Sequence, residues 1–199
     1  MPAEYAQSFT RMHPVLHGIS LAVAIGVAYW WLTIPALEFY SLQAFAISCL
    51  IYFVLKALNR GKLWHLMPSE TSLEMIVATF AIMLLIGSTG NLSSPLYALS
   101  YIHLFLLVFS SGYRTSLGIT GFIMLFHIGL HPEVSIELLG RVMSLPVIMF
   151  FFLFAKSQYE EAIRERGIIA YDEQTLADLE KQSQELDLFL SQFMIKKLI

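Results

Sequence analysis

The sequence predicts an all-α membrane protein: a polytopic bundle of six transmembrane helices followed by a cytoplasmic amphipathic or coiled-coil helix. Of its 199 residues, 57% are hydrophobic and only 14% are charged, a composition outside the usual range of soluble domains. The apolar runs are separated by short polar breaks, and nine of the fifteen acidic residues fall after residue 155. We therefore expect a transmembrane domain over residues 1–155 and a cytoplasmic helical linker over residues 156–199.

The first two spans are predicted before residue 59. Leu16 to Leu37 contains no Asp, Glu, Lys or Arg, and the aromatic run Tyr29–Trp31 lies toward its far end, which suits a membrane interface. The second span, Ser41 to Leu58, is short before Lys56, but the stem of a lysine can reach the headgroups from a helix end. Both runs approach the about 20 apolar residues that a membrane helix needs.

The next three spans are delimited by turn-forming residues. The third, Leu73 to Gly87, ends in the helix-breaking run Gly87–Asn91. The fourth, Leu96 to Ser111, and the fifth, Thr115 to Leu130, are separated only by Gly112–Arg114. So short a connection predicts that the fourth and fifth helices are antiparallel neighbours.

The sixth span, Val134 to Ala155, is the only one with charged residues well inside its limits. Glu137 and Arg141 are four residues apart, so they lie on one helical face and can partly neutralise each other. Pro146, further along, removes one backbone hydrogen bond and kinks the axis. The kink could convert an event in the bundle into a rotation of the following helix, or it could simply improve packing.

The basic residues predict the orientation, because cytoplasmic loops are enriched in Lys and Arg. With six spans, all the basic residues near the spans fall on one side: Arg11, Lys56, Arg60, Lys62, Arg114, Lys156, Arg164 and Arg166. The loops on the other side contain neither Lys nor Arg. We therefore expect a multi-pass protein of the cell (inner) membrane with both termini in the cytoplasm.

The segment after residue 155 predicts two helical pieces. Gly167 is expected to interrupt the extension of the sixth span, and Asp172 could cap a new helix. From there, apolar positions recur in steps of three and four with one polar member, as in a short coiled-coil seam. The seam consists of Leu176, Leu179, Ser183, Leu186, Leu190 and Phe193. A parallel homodimer is the favoured interpretation, and an amphipathic helix on the cytoplasmic leaflet or on its own loops is the alternative.

Four ionisable residues within the predicted spans are candidates for ligand binding, because burying such groups in hydrocarbon is costly. They are Glu137, Arg141, His127 and His103. The first two could line a polar pocket, or could instead link the sixth span to a neighbour. The two histidines lie one on each helix of the predicted hairpin and could meet, or each could be a satisfied or interfacial residue. With one cysteine, Cys49, and no HExxH motif, neither metal nor cofactor binding is expected.

Three features resemble a known group of proteins. They are the stretch Asn91–Leu99 that opens a span, the tight hairpin Gly112–Arg114, and a last span that runs into an acidic helix. Over about residues 85–199 the chain resembles the amino-terminal multi-span sensor regions of bacterial membrane histidine kinases and diguanylate cyclases. The resemblance implies a membrane part that senses a stimulus and a dimeric helical linker that drives a cytoplasmic output domain.

The chain departs from that group in lacking an output domain. None of its six histidines lies after residue 131, so a phosphoacceptor box is absent, and neither a GGDEF-like nor an ATP-binding Gly-rich segment follows. We expect a sensor and signal-transmitting module rather than an enzyme, belonging to a longer protein and with no nucleic-acid partner. A small transporter or channel with a polar pathway near Glu137, Arg141 and His127 is the alternative.

Overall fold

The computed structural model describes residues 14–58, 73–131 and 135–198, and these residues form helices and turns without a β-strand. The all-α prediction is therefore confirmed. The α-helices are α1 (Pro14–Thr33), α2 (Pro35–Glu38), α3 (Ser41–Leu58), α4 (Leu73–Ser88), α5 (Leu99–Ser110), α6 (Tyr113–Gly129) and α7 (Ile136–Leu198). A 3-10 helix over Asn91–Ser93 lies between α4 and α5.

The first predicted span was wrong at its far end. Helix α1 stops at Thr33, and Ile34 is extended, with φ −99° and ψ 111°. The cause is Pro35, because its ring disfavours the helical conformation in the preceding residue and it has no backbone N–H to donate. Pro35 instead begins the short helix α2, where a missing donor costs nothing.

Two of the described helices, α1 and α7, are long and apolar enough to cross a membrane. The other predicted spans form shorter helices: α4 has 16 residues, α5 has 12 and α6 has 17. The fourth span is shortened most, because residues 91–98 form a 3-10 helix and turns instead of extending α5. Helix length thus supports two spans, whereas the sequence predicted six.

Helices α1 and α6 run side by side in the same direction. Near their first residues, a Cβ placed on Gly18 would lie 3.4 Å from Cγ2 of Thr115. Near their last residues, the Tyr29 hydroxyl donates to the Gly129 carbonyl at 3.4 Å, and the ring of Tyr29 meets that of Phe126 edge to face. The two helices therefore have their amino-terminal ends at one end of the bundle.

Helix α4 packs against α1, α3 and α5. Its last turn comes so close to α1 that a Cβ on Gly87 would overlap Cδ1 of Leu32, and this Cβ would lie 3.3 Å from the ring of Phe126. Only glycine fits between these side chains without a shift of its neighbours. The carboxyl-terminal ends of α1, α4 and α6 therefore meet at one place.

The remaining helices of the bundle run in the opposite direction. The Lys56 ammonium, in the last turn of α3, lies 3.3 Å from the Glu74 carboxylate in the first turn of α4, so α3 and α4 are antiparallel. The Tyr101 hydroxyl of α5 lies 2.8 Å from that of Ser144 in α7. One turn further along α5, the Phe105 ring meets the ring of Phe152. Helix α5 and the first part of α7 therefore run parallel to each other.

Helix α7 is continuous from Ile136 to Leu198, with Pro146 inside it. The predicted break at Gly167 and the new start at Asp172 are therefore wrong. A glycine inside a helix costs only about 1 kcal/mol relative to alanine, and the three residues before it, Arg164–Arg166, are good helix formers. The chain divides into two compact units, one ending at Phe154 and one beginning at Ala155, and in the second unit the described side chains from residue 157 to 186 are exposed.

Candidate functional site

The turn between α4 and α5 contains two consecutive residues with positive φ. Gly90 has φ 113° and Asn91 has φ 53°, conformations that glycine and asparagine tolerate best. The hydroxyls of Thr89 and Ser94 lie 2.6 Å apart across the turn, and Ser94 also accepts the Leu96 N–H. The predicted helix-breaking run Gly87–Asn91 thus leads into an ordered turn that holds Asn91 in the bundle.

Asn91 and His127 make a reciprocal pair of hydrogen bonds. The Asn91 amide Nδ2 donates to the His127 carbonyl at 2.8 Å, and Nδ1 of His127 lies 2.5 Å from the Asn91 Oδ1. Because Oδ1 can only accept, Nδ1 carries a proton. The other ring nitrogen, Nε2, lies 3.5 Å from the Ser100 hydroxyl. All three residues are buried, so this pair connects the turn to α6 in the interior of the bundle.

Tyr97 connects the same region to α7. Its ring packs edge to face on those of His127 and Tyr101, with centroids 5.4 and 5.6 Å away. Its hydroxyl donates to the Arg141 carbonyl at 3.0 Å, and Ser144 donates to the same carbonyl at 2.6 Å. Tyr97 therefore contacts both α6 and α7.

Arg141 completes the arrangement through its side chain. One guanidinium nitrogen donates to the Leu92 carbonyl at 2.5 Å, so the contact fixes α7 to the turn. The predicted partner of Arg141, Glu137, lies in α7, but its side chain falls outside the described residues. We call the following set the polar cluster: Asn91, Tyr97, Ser100, Tyr101, His127, Arg141 and Ser144.

The two histidines predicted as a possible pair have different surroundings. His127 belongs to the polar cluster. His103 is fully buried, and within the described residues neither of its ring nitrogens has a hydrogen-bond partner. No hydrogen bond joins the two rings. In the described part of the chain, the structure also contains no group of three or more His, Cys, Asp or Glu that could hold a metal ion.

A buried ion pair lies at the opposite end of the bundle, and sequence reasoning missed it. The side chains of Lys56 and Glu74 are only 7% and 4% exposed, and they lie 3.3 Å apart. The expectation that Lys56 extends out to the headgroups was therefore wrong. A usable signal was present, because a lysine in the last turn of one helix and a glutamate in the first turn of the next lie at the same end of an antiparallel pair.

The residues predicted to transmit a signal all lie on α7. Leu176, Leu179 and Leu186 are exposed in the single chain, as a seam awaiting a partner would be. The side chains of Leu190 and Phe193 fall outside the described residues. Dimerisation through this seam stays a prediction.

No protein family, curated protein or solved structure matches this chain. The chain's function is therefore inferred from its own residues and geometry.

Proposed function

We propose that this chain is a membrane sensor and signal-transmitting module. Six of its helices, α1 and α3 to α7, cross the cell membrane with both termini in the cytoplasm. Its last helix, α7, passes a signal to an output domain outside this chain. The observation that carries the proposal is the continuity of α7, because this one helix contains both Arg141 of the polar cluster and the exposed leucine seam. A change at the cluster can therefore act directly on the helix that carries the seam.

The alternating helix directions support the six-span topology. Helices α1, α4 and α6 share one direction, and α3, α5 and the start of α7 share the other. Lys56, in the last turn of α3, and Arg114, in the first turn of α6, therefore lie at the same end of the bundle, as the six-span topology predicts. Short helices are compatible with crossing, because a bilayer thins locally around a short apolar stretch at modest cost. Many backbone N–H groups in the turn after α4 also donate hydrogen bonds to carbonyls of the same turn, as non-helical segments at membrane depth require.

The mechanism we propose is a population shift between two packings of the helices. A ligand or a membrane property would act near the polar cluster, where the candidate residues Arg141 and His127 meet the turn; Glu137 and His103 are the other candidates. The favoured packing would then change the rotation or separation of two copies of α7 in a homodimer. Pro146, within the same helix, is where the axis could bend during that change.

Cysteine crosslinking tests the dimer in membranes. In a Cys49→Ser background, which removes the one native thiol, we expect Leu179→Cys and Leu186→Cys to form disulfide-linked dimers under mild oxidation. The control is Lys181→Cys, because a residue two positions from Leu179 lies near the opposite face of the helix. Absence of dimers at both seam positions, or equal crosslinking at Lys181, would contradict transmission through a paired helix.

Transport is the alternative function, and no observation in the described residues favours it. A polar pathway through His127 would need the imidazole to face an opening, but this side chain is fully buried. Both of its ring nitrogens face protein groups. We therefore propose signalling rather than transport.

A further inference from the structure

A groove lies between α1 and α6, away from the polar cluster. It has a volume of about 590 Å³, within the range of about 300–1,000 Å³ typical of ligand sites. Its floor is open because small residues line it, among them Gly18, Ala22 and Gly118. A Cβ on Gly118 would meet nothing within 4 Å, so the space beside this glycine is unfilled.

The groove is apolar along its length and cationic at one end. Val15, Ile19 and Phe122 contribute to its walls, and among the described residues that line it, Arg114 is the one that carries a charge. Arg114 is exposed, and no carboxylate in the described part of the chain pairs with it. The charge therefore remains available to an anion at the end of an apolar channel.

The start of α6 adds to this positive end. Arg114 lies in the first turn of that helix, whose preceding residue Gly112 provides no side-chain cap, and the turn contains no acidic residue. The N–H groups of a helix's first turn favour an anion, and arginine matches a phosphate through two parallel hydrogen bonds. The groove thus combines a positively charged end with space for a hydrocarbon chain.

We propose that this groove binds an anionic phospholipid of the cytoplasmic leaflet, with the phosphate at Arg114 and an acyl chain along α1 and α6. The inference rests on the membrane location proposed above and is independent of dimerisation. In the six-span topology the first residues of α1 and α6 lie at the cytoplasmic face, where anionic lipids attract basic residues. A second copy of the chain would match the apolar walls, whereas an anionic lipid matches both the walls and the Arg114 charge.

Native mass spectrometry of the full-length chain, released from nanodiscs made of an equal mixture of phosphatidylglycerol and phosphatidylcholine, tests the proposal. We expect the wild-type chain to retain phosphatidylglycerol preferentially. Arg114→Gln should reduce that preference about tenfold, because both lipids carry a phosphate but only phosphatidylglycerol has a negative charge that its own headgroup does not compensate. Gly118→Leu should reduce retention of the lipid by filling the groove, and leucine is a better helix former than glycine.

Two controls match these changes. Arg164→Gln removes an exposed arginine far along α7, and Gly140→Leu adds the same side chain at a glycine whose Cβ would meet nothing within 4 Å; both should retain lipid as the wild type does. Retention that is unchanged in Arg114→Gln would overturn the proposal. A dimer that Gly118→Leu dissociates would overturn it in favour of a second copy. A chain that fails to enter nanodiscs would instead contradict the membrane location.

Discussion

The two ends of the bundle hold their buried polar groups in different ways. Where α1, α4 and α6 end, the polar cluster joins three parts of the chain through many hydrogen bonds, several of them to backbone carbonyls. At the other end, one ion pair between Lys56 and Glu74 joins α3 to α4. The first arrangement depends mainly on hydrogen bonds between neutral groups, whereas the second places two opposite charges in contact.

That difference has an energetic consequence. Breaking a buried ion pair leaves an uncompensated charge and costs about 3–5 kcal/mol. Leaving one buried neutral donor or acceptor unpaired costs about 1–3 kcal/mol. The end with the ion pair should therefore be the more rigid of the two, while the polar cluster can exchange single contacts at lower cost, as the proposed sensing function requires.

The largest expected effect is at the ion pair. Glu74→Leu leaves the Lys56 ammonium buried opposite an apolar residue, and we expect a loss of about 3–5 kcal/mol. Unfolding by sodium dodecyl sulfate in mixed micelles, followed by circular dichroism, measures it. The double variant Lys56→Met with Glu74→Leu removes both charges and should recover most of the loss. A double variant as unstable as Glu74→Leu alone would show that the pair is not the source of the effect.

The second effect is at Asn91. Asn91→Ala removes both bonds to His127 and places alanine at a positive φ, so we expect a loss of about 3 kcal/mol from the unpaired buried groups and the backbone. Asn91→Gly tolerates the backbone conformation and should lose less. The same unfolding measurement separates the two contributions. Equal stability of Asn91→Gly and the wild type would contradict a role for the hydrogen bonds.

The smallest effect concerns packing beside the polar cluster. Gly87→Ala places a methyl group against Leu32, and overpacking of this kind costs about 1–3 kcal/mol. Because the obstructing atom is the end of a flexible side chain, we expect a value near the lower limit. Gly118→Ala, where a Cβ meets nothing, is the matched control and should not destabilise the chain. Combining Gly87→Ala with Leu32→Ala should relieve the overlap.

Local patterns predicted the helices better than their ends. The bounds of α3, Ser41–Leu58, and the start of α4 at Leu73 agree with the predicted spans, because polar and turn-forming residues mark them. Hydropathy overlooked Pro35, since this scale treats proline by its polarity and not by its missing donor. At Gly167 a break was predicted but the helix continues, because a glycine inside a helix lowers stability only slightly.

The contacts of the candidate site could be predicted only in part. Sequence reasoning selected His127 and Arg141, but their partners Asn91 and Leu92 are 36 and 49 residues away. Such pairs depend on how helices pack, which periodicity does not encode. The Asn91–Leu99 stretch, one of the features that carry the resemblance, supplies two of the seven residues of the polar cluster, Asn91 and Tyr97.

The parallel pairing of α5 with the first part of α7 limits which motions can carry a signal. Three contacts follow one another along α7: Arg141 with Tyr97 in the turn before α5, then Ser144 and Phe152 with Tyr101 and Phe105 of α5. A piston-like slide of α7 alone would have to break all three at once, whereas a displacement of both helices as one body would break none. If α7 transmits a signal as proposed, α5 should therefore move together with it as one body.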